Sequence, residues 1–173
     1  MRKTVFLLAS LFVMVLATQR VNAEGPASAS ATANATATII TPIAIAHVAD
    51  LNFGNIVAGT GTGTVIVDTD GVRTSTGDVI LPTATPGTVN AAEFTVTGLA
   101  AATYDITLPG SIDISTTGGA TMTVTNFTST PSVTGTLAAN GEQTLSVGAT
   151  LTVGANQPAG TYEGSFFVTV AYN

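Results

Sequence analysis

The stretch QTLSVGATLTVG, residues 143–154, places an apolar side chain at every second position: Leu145, Val147, Ala149, Leu151 and Val153. A period of two residues is typical of a β-strand with one buried face. The end of the chain, GTYEGSFFVTVAYN (residues 160–173), repeats this pattern. Its apolar face holds Tyr162, Gly164, Phe166, Val168, Val170 and Tyr172, which alternate with Thr161, Glu163, Ser165, Thr169 and Ala171. Both stretches predict strands that face a core.

Five shorter runs upstream have the composition of strands: TVIVD (64–68), DVILP (78–82), EFTVTG (93–98), TYDITLP (103–109) and TMTVTNF (121–127). Glycine, proline and small residues separate them, and residues 69–77, TDGVRTSTG, are predicted to form a loop. No helical repeat stands out beyond residue 23. The sequence therefore predicts an all-β protein, an immunoglobulin-like β-sandwich of about seven to nine short strands.

Residues 1–23 have the layout of a secretory signal peptide. Arg2 and Lys3 precede an apolar run, and Val21-Asn22-Ala23 forms a small-residue exit before Glu24. We therefore expect a secreted bacterial protein, exported through the inner membrane to the periplasm, the outer surface or the medium. The apolar run is short for a membrane span, and we expect no transmembrane segment after cleavage.

A low-complexity leader, residues 24–40, follows the signal. Its alanines alternate with serine, threonine and asparagine, which predicts either a flexible leader or a weak strand that needs the sheet of another domain. Residues 41–173 are then predicted to be one β-sandwich domain. Pro42 confines the first strand of that domain to a sheet edge or a break.

The charge balance excludes one large class of partners. After cleavage Arg73 is the only basic residue, whereas all ten acidic residues remain. A chain with one cation offers almost nothing to phosphates, so we expect no nucleic-acid binding.

The residue inventory argues against catalysis and against a cofactor. There is no cysteine and, after cleavage, no lysine. The single histidine, His47, is interpreted as a solvated or packed strand residue, because one histidine cannot anchor a usual zinc site. No G-x-S-x-G nucleophile elbow occurs. We expect a protein that is not an enzyme and holds no cofactor.

Two loops are candidate ligand sites. GTGTG, residues 59–63, lacks the lysine and helix of a phosphate loop and is interpreted as a turn between strands. Asp68, Asp70 and Asp78 are a weak calcium candidate, since carboxylate oxygens suit calcium. Their spacing does not match an EF-hand, and aspartates favour turns for backbone reasons.

Two motifs carry a family resemblance. LNFGNI (51–56) has Leu51, Phe53 and Gly54, and GATLTVGANQPAGTY (148–162) leads through Gly160 into the last strand. Together they resemble the spore-coat-protein-U-like domains, which include pilins of the archaic chaperone–usher class, and a sister group of uncharacterised secreted domains.

This resemblance implies an immunoglobulin-like sandwich that lacks its last strand. The open groove would be bordered by the C-terminal strand and lined by its apolar face, Tyr162 to Tyr172. A periplasmic chaperone would fill the groove first, and the N-terminal extension of the next pilus subunit would replace it by β-augmentation. Leader residues 24–40 would be the donor strand, for either a neighbouring copy or the same chain.

The sequence therefore indicates two alternative functions. The first is a non-enzymatic structural or pilin-like protein of the surface or envelope, assembling by strand complementation as a homo-oligomer or pilus subunit. The second is a carbohydrate- or calcium-dependent binding module or adhesin that uses the loop from Asp68 to Asp78.

Overall fold

A computed structural model of the chain describes residues 28–173, so the predicted signal peptide lies outside the described residues. The chain divides into two units at Thr38 and Ile39. In the first unit, residues 28–38 form no regular secondary structure and are exposed.

The second unit contains all the strands of the described residues. They are β1 (Ala44–Ala49), β2 (Asn52–Phe53), β3 (Val57–Val67), β4 (Arg73–Ile80), β5 (Val89–Asn90), β6 (Ala92–Thr97), β7 (Thr103–Thr107), β8 (Ser111–Ser115), β9 (Thr121–Thr130), β10 (Thr134–Thr136), β11 (Glu142–Val153) and β12 (Thr169–Tyr172). The prediction of an all-β sandwich is confirmed. Nine of these strands are longer than three residues, in line with the seven to nine expected.

The larger sheet is organised around β11 and is antiparallel throughout. Its order is β1-β6-β11-β3-β4, and β9 pairs with the opposite edge of β11 and with β8. The first half of β11 pairs with β6, from Glu142↔Thr97 to Val147↔Ala92. The second half pairs with β3, from Ala149↔Val67 to Val153↔Gly63. β11 therefore pairs with a different strand in each of its two halves.

The smaller sheet has the order β10-β7-β12, so β12 is an edge strand of the described sheets. β1 lies at an edge of the larger sheet, as Pro42 predicts. A short two-stranded pairing of β2 with β5 completes the fold.

Two clusters of buried side chains fill the interior, one under each half of β11. The β7 core consists of Ala92, Val96, Tyr104, Leu137, Leu145 and Val147. The β3 core consists of Phe53, Val65, Val67, Val79, Val124, Ala149, Leu151 and Val153. All five apolar positions predicted for residues 143–154 are buried, which confirms the alternation.

The structure corrects the prediction of a loop over residues 69–77. The turn is confined to the residues between β3 and β4, and Arg73 to Gly77 belong to β4. They pair with β3 from Val67↔Arg73 to Gly63↔Gly77. Backbone pairing with a neighbouring strand outweighs the weak propensity of this polar, glycine-containing segment.

The prediction of a turn at residues 59–63 is also wrong. These residues belong to β3 and form a bulge, because the register with β4 shifts between Ala58 and Gly63. The Asp78 carboxylate fills the bulge and accepts a hydrogen bond from Gly61 N (2.7 Å). A Cβ at Gly59 would collide with the same carboxylate, so the glycines make room for the exposed Asp78 side chain at the bulge.

Candidate functional site: an open groove in the sandwich

A groove of about 1340 Å³ opens beside the β3 core. Residues 47–58, which run from β1 into β3, form one side and are called the N-terminal wall. Residues 157–166 form the other side and are called the C-terminal wall. Both walls belong to the second unit, so the groove is a feature of one folded body.

The floor of the groove is apolar and comes from three strands. β8 supplies Ile112 and Ile114, β9 supplies Met122 and Val124, and β11 supplies Leu151 and Val153. Val124, Leu151 and Val153 are only 1–2% exposed, whereas the two isoleucines and Met122 are half-buried. The floor therefore has a buried part on β9 and β11 and a part on β8 and at Met122 that is partly open to water.

The C-terminal wall has a backbone edge that the described strands leave open. Glu163 and Ser115 exchange two backbone hydrogen bonds (2.9 and 3.0 Å), and the ladder with β7 resumes at Thr169↔Thr107. Between these anchors, residues 164–168 form no ladder with the described strands. The prediction of a continuous final strand is therefore only partly right. The chain between β7 and β8 breaks at Pro109 and Gly110, which interrupts the surface that the last strand could pair with.

Gln157 and Tyr162 hold the C-terminal wall in place. Gln157 Nε2 donates to Thr121 O and to the Tyr162 hydroxyl (both 2.9 Å), and Gln157 Oε1 accepts from Gly154 N (3.3 Å). The Tyr162 hydroxyl donates to Pro158 O (2.7 Å). The glutamine and tyrosine of the second motif thus form one hydrogen-bonded clamp that fixes the turn into the wall.

The two glycines of this wall allow close packing. A Cβ on Gly164 would lie 2.8 Å from Ile114 Cγ2 and 2.9 Å from Asp113 O, and one on Gly160 would lie 2.9 Å from Thr116 Cγ2. These distances are too short for a real side chain. Gly164 therefore brings the wall against β8, while its exposed side borders the groove.

Arg73 holds the N-terminal wall. Its Nη1 donates to three backbone carbonyls, Phe53 O (2.7 Å), Asn55 O (3.0 Å) and Pro86 O (3.3 Å). Gly54 lies beside the guanidinium at φ +71°, and a Cβ there would meet Arg73 Nη1 at 2.5 Å. The first motif is thereby explained. Phe53 anchors the wall in the β3 core, half-buried Leu51 packs against both cores, and Gly54 makes the bend.

The groove closes at its other end, where β1 and β12 approach each other. The Tyr172 hydroxyl accepts from Leu99 N (2.6 Å) and donates to Thr41 O (2.8 Å). Val168, Val170 and Tyr172 pack against the β7 core. Of the six predicted groove residues, the structure places Tyr162, Gly164 and Phe166 in the groove and the other three in this closed end.

Phe166 marks the border between the open and closed ends. Its ring lies 5.0 Å from that of Phe127 and 6.4 Å from that of Phe94, measured between centroids. Phe94 in turn contacts the edge of His47, whose Nε2 lies 2.9 Å from Asp50 Oδ1 at the rim. His47 is 54% exposed on β1, where the sequence places it as a strand histidine.

The acidic loop does not assemble into one site. Asp68 Oδ1 accepts from Asp70 N and Val72 N in the β3–β4 turn. Asp78 lies at the far end of β4, where the Gly61 amide holds the pKa of its carboxyl below the usual range. Within residues 28–173 no group of three histidine, cysteine or acidic residues could hold a metal ion. The calcium candidate gains no support.

Sequence reasoning missed three residues that matter here. Arg73 was noted only as the last basic residue, although a lone cation in a lysine-free chain was a usable signal. Gln157 stood inside the second motif without an assigned role. Phe167 lies on the outward face of the last strand, where its 85% exposure breaks an otherwise polar or small-residue pattern.

Comparison with known proteins places the chain in a family. The family model described as "Domain of unknown function (DUF4402)" matches residues 43–172, and the chain belongs to that family. No curated protein and no solved structure matches it. Among residues 28–173 there is no helix long and apolar enough to cross a membrane.

Proposed function

We propose that this chain is a secreted, non-enzymatic structural protein of the bacterial surface or envelope, pilin-like in that its groove accepts an extended strand from a second copy. The observation that carries the proposal is the groove itself. It has an apolar floor and lies beside residues 164–168, whose backbone takes part in no ladder among the described strands. An added strand gains ladder hydrogen bonds along such an edge and buries alternate side chains.

The leader has the chemistry that the groove requires. The walls carry small residues at Ala49, Ala58, Ala159 and Gly164, which allow the backbone of an incoming strand to approach them closely. Glu24 is the only charged residue between 24 and 40, so the leader brings no further charge into an apolar groove whose rim already holds Asp50 and Glu163. Burying an unpaired charge there would be costly.

The leader is also long enough. Extended at about 3.3 Å per residue, residues 24–38 span roughly 50 Å, while the ten-residue C-terminal wall spans at most about 33 Å. The remainder can bridge two copies.

The root of the leader favours a second copy over the same chain. Thr41 is held by Tyr172 at the closed end, and β1 then runs from Thr41 towards the groove. A leader that filled the groove of its own chain would have to reverse direction within residues 39–42. A leader from another copy needs no such reversal.

The test compares the chain beginning at Glu24 with one beginning at Ile39. We expect the longer chain to form ladders that resist mild denaturant and grow with protein concentration, and the shorter chain to remain monomeric. Monomers in both cases, with the longer chain cooperatively folded, would defeat the proposal.

A matched pair of leader variants tests the alternation. Ala33→Asp places a charge on the row expected to face the floor, and we expect it to abolish assembly. Asn34→Asp adds the same charge one residue further on, on the outward row, and should preserve assembly. Equal effects of the two variants would contradict insertion of the leader as a strand.

A further inference from the structure

Phe167 stands out on the outer face of the last strand, directly after the C-terminal wall. Its side chain is 85% exposed, and its neighbours on that face, Ser165, Thr169 and Ala171, are small or polar. A single exposed apolar residue is common on protein surfaces, but large aromatic side chains are more often buried. The position of Phe167 next to the groove suggests a role in binding.

The backbone holds Phe167 in its outward direction. Phe166 is locked inwards between Phe94 and Phe127, and successive side chains of an extended chain point to opposite faces. The segment is anchored on both sides, by Glu163 to Ser115 and by Thr169 to Thr107. Phe167 is therefore presented from a fixed stretch of backbone.

On the side away from the groove, none of the described strands places a residue opposite Phe167. Counting the register onwards from Thr169↔Thr107 brings Pro109 opposite Phe167, beyond the end of β7. On the groove side, the described residues place no strand against it. A strand laid in the groove would become its neighbour.

We propose that Phe167 determines which strand the groove accepts, by packing against an outward-facing β-branched residue of the incoming leader. This inference rests on the proposed function and names a recognition contact within it. Directly opposed side chains on adjacent strands have Cβ atoms about 4.5–5.5 Å apart, and aromatic side chains pair favourably with β-branched ones.

The leader supplies such residues in the required row. If its alanines face the floor, the outward row is Ser28, Ser30, Thr32, Asn34, Thr36 and Thr38. Threonine occupies three of the last four positions of this row. In this arrangement the alanines face the floor, and Phe167 selects threonine on the outward face.

The experiment is a double-mutant cycle measured by fluorescence anisotropy. The probe is a labelled peptide of residues 24–40, titrated with the chain beginning at Ile39, which keeps the whole second unit but has no leader to fill the groove. The receptor variants are Phe167→Ala and, as a matched control, Val72→Ala, which shortens an exposed side chain in the β3–β4 turn outside the groove lining. A second peptide carries serine in place of Thr32, Thr36 and Thr38.

We expect Phe167→Ala to weaken peptide binding about two- to fivefold and Val72→Ala to leave it unchanged. The serine peptide should bind the native receptor more weakly, yet lose little further affinity on Phe167→Ala, because both changes remove the same contact. Unchanged melting temperatures will show that both receptor variants are folded.

The outcomes separate this inference from the function beneath it. If the native receptor does not bind the leader peptide, the proposed function fails and the inference falls with it. If the native receptor binds but Phe167→Ala behaves like Val72→Ala, or the two changes act independently, the inference is overturned while strand acceptance stands.

Discussion

The two halves of β11 differ in what covers them: the smaller sheet covers the first half, and the second half lies beneath the open groove. Over the β7 core, Leu145 and Val147 are covered by the smaller sheet, and the Tyr172 hydroxyl fastens the seam between β1 and β12. Over the β3 core, Leu151 and Val153 form the floor of the open groove. The difference shows that the incompleteness is local. The same strand, with the same alternation, is covered by the smaller sheet at one end and lies beneath an open groove at the other, although β3 and β9 pair with both of its edges there.

Specific contacts keep the open half in shape without that strand. Arg73 fixes the N-terminal wall, and the Gln157–Tyr162 clamp fixes the C-terminal wall. A groove that had collapsed or frayed would need neither. Each wall is therefore anchored separately, the N-terminal wall through the carbonyls bound by Arg73 and the C-terminal wall through the Gln157–Tyr162 clamp.

Truncating one leucine in each half should have the largest effect and test the comparison directly. We expect Leu145→Ala to lower the free energy of unfolding by about 3–5 kcal/mol, because it leaves a closed cavity. Leu151→Ala should cost about 2–3 kcal/mol, because its space adjoins a groove that can relax. Urea unfolding measures both. Equal losses, or a larger loss for Leu151→Ala, would argue that the open half is packed like the closed one.

Removing the guanidinium should loosen only the N-terminal wall. Arg73→Gln leaves three carbonyls without their charged donor, and we expect a loss of about 1.5–3 kcal/mol in unfolding free energy. Arg73→Lys keeps the charge but not the planar group, so it should restore only part of that loss. Hydrogen exchange should quicken at residues 52–55 and stay unchanged in β7. Equal acceleration in both would contradict a local role.

Removing the hydroxyl that joins β1 and β12 at the closed end should cost less unfolding free energy. Tyr172→Phe keeps the ring and removes the hydroxyl that contacts Leu99 N and Thr41 O, so we expect a loss of about 0.5–1.5 kcal/mol. Exchange of the Leu99 amide should accelerate. Loss of the whole β7 core on this change would show that the closed half depends on one hydroxyl.

The smallest expected effect is the loss of stability at low pH that Asp78 causes. The Gly61 amide lowers the pKa of Asp78, so the carboxylate stabilises the fold above the pKa of the unfolded chain, about 3.9. That contribution is lost as the pH falls through the lower pKa of the folded state. Asp78→Asn retains an acceptor for the amide without titrating. Urea midpoints between pH 5 and pH 2 should fall further for the native chain, and parallel curves would remove Asp78 as a cause.

The sequence predicts the strands well because their alternation is local. Leu145 to Val153 could be assigned to one buried face from a twelve-residue window, and Tyr162 and Phe166 to the inward face of the last strand. The open part of that strand could not be predicted, because it depends on pairing with β7 and β8, which lie about fifty to sixty residues earlier in the chain.

Arg73 and Asp78 show the same limit from the polar side. The three carbonyls bound by Arg73 come from β2, from Asn55 just after it and from the loop before β5, which only the fold brings together. The glycines at residues 59–63 resemble a turn until β4 supplies the carboxylate that they surround. In both cases the structural role of a residue depends on a segment that is distant in the sequence.

The most direct test of the account is hydrogen exchange at residues 164–168 of the chain beginning at Ile39, with and without the peptide of residues 24–40. In the free chain we expect these amides to exchange faster than those of β12, which already pair with β7. On saturation with the peptide, the amides that face the groove should become protected, while those of β12 change little. Unchanged exchange at residues 164–168 under saturating peptide would contradict the claim that this edge receives a strand.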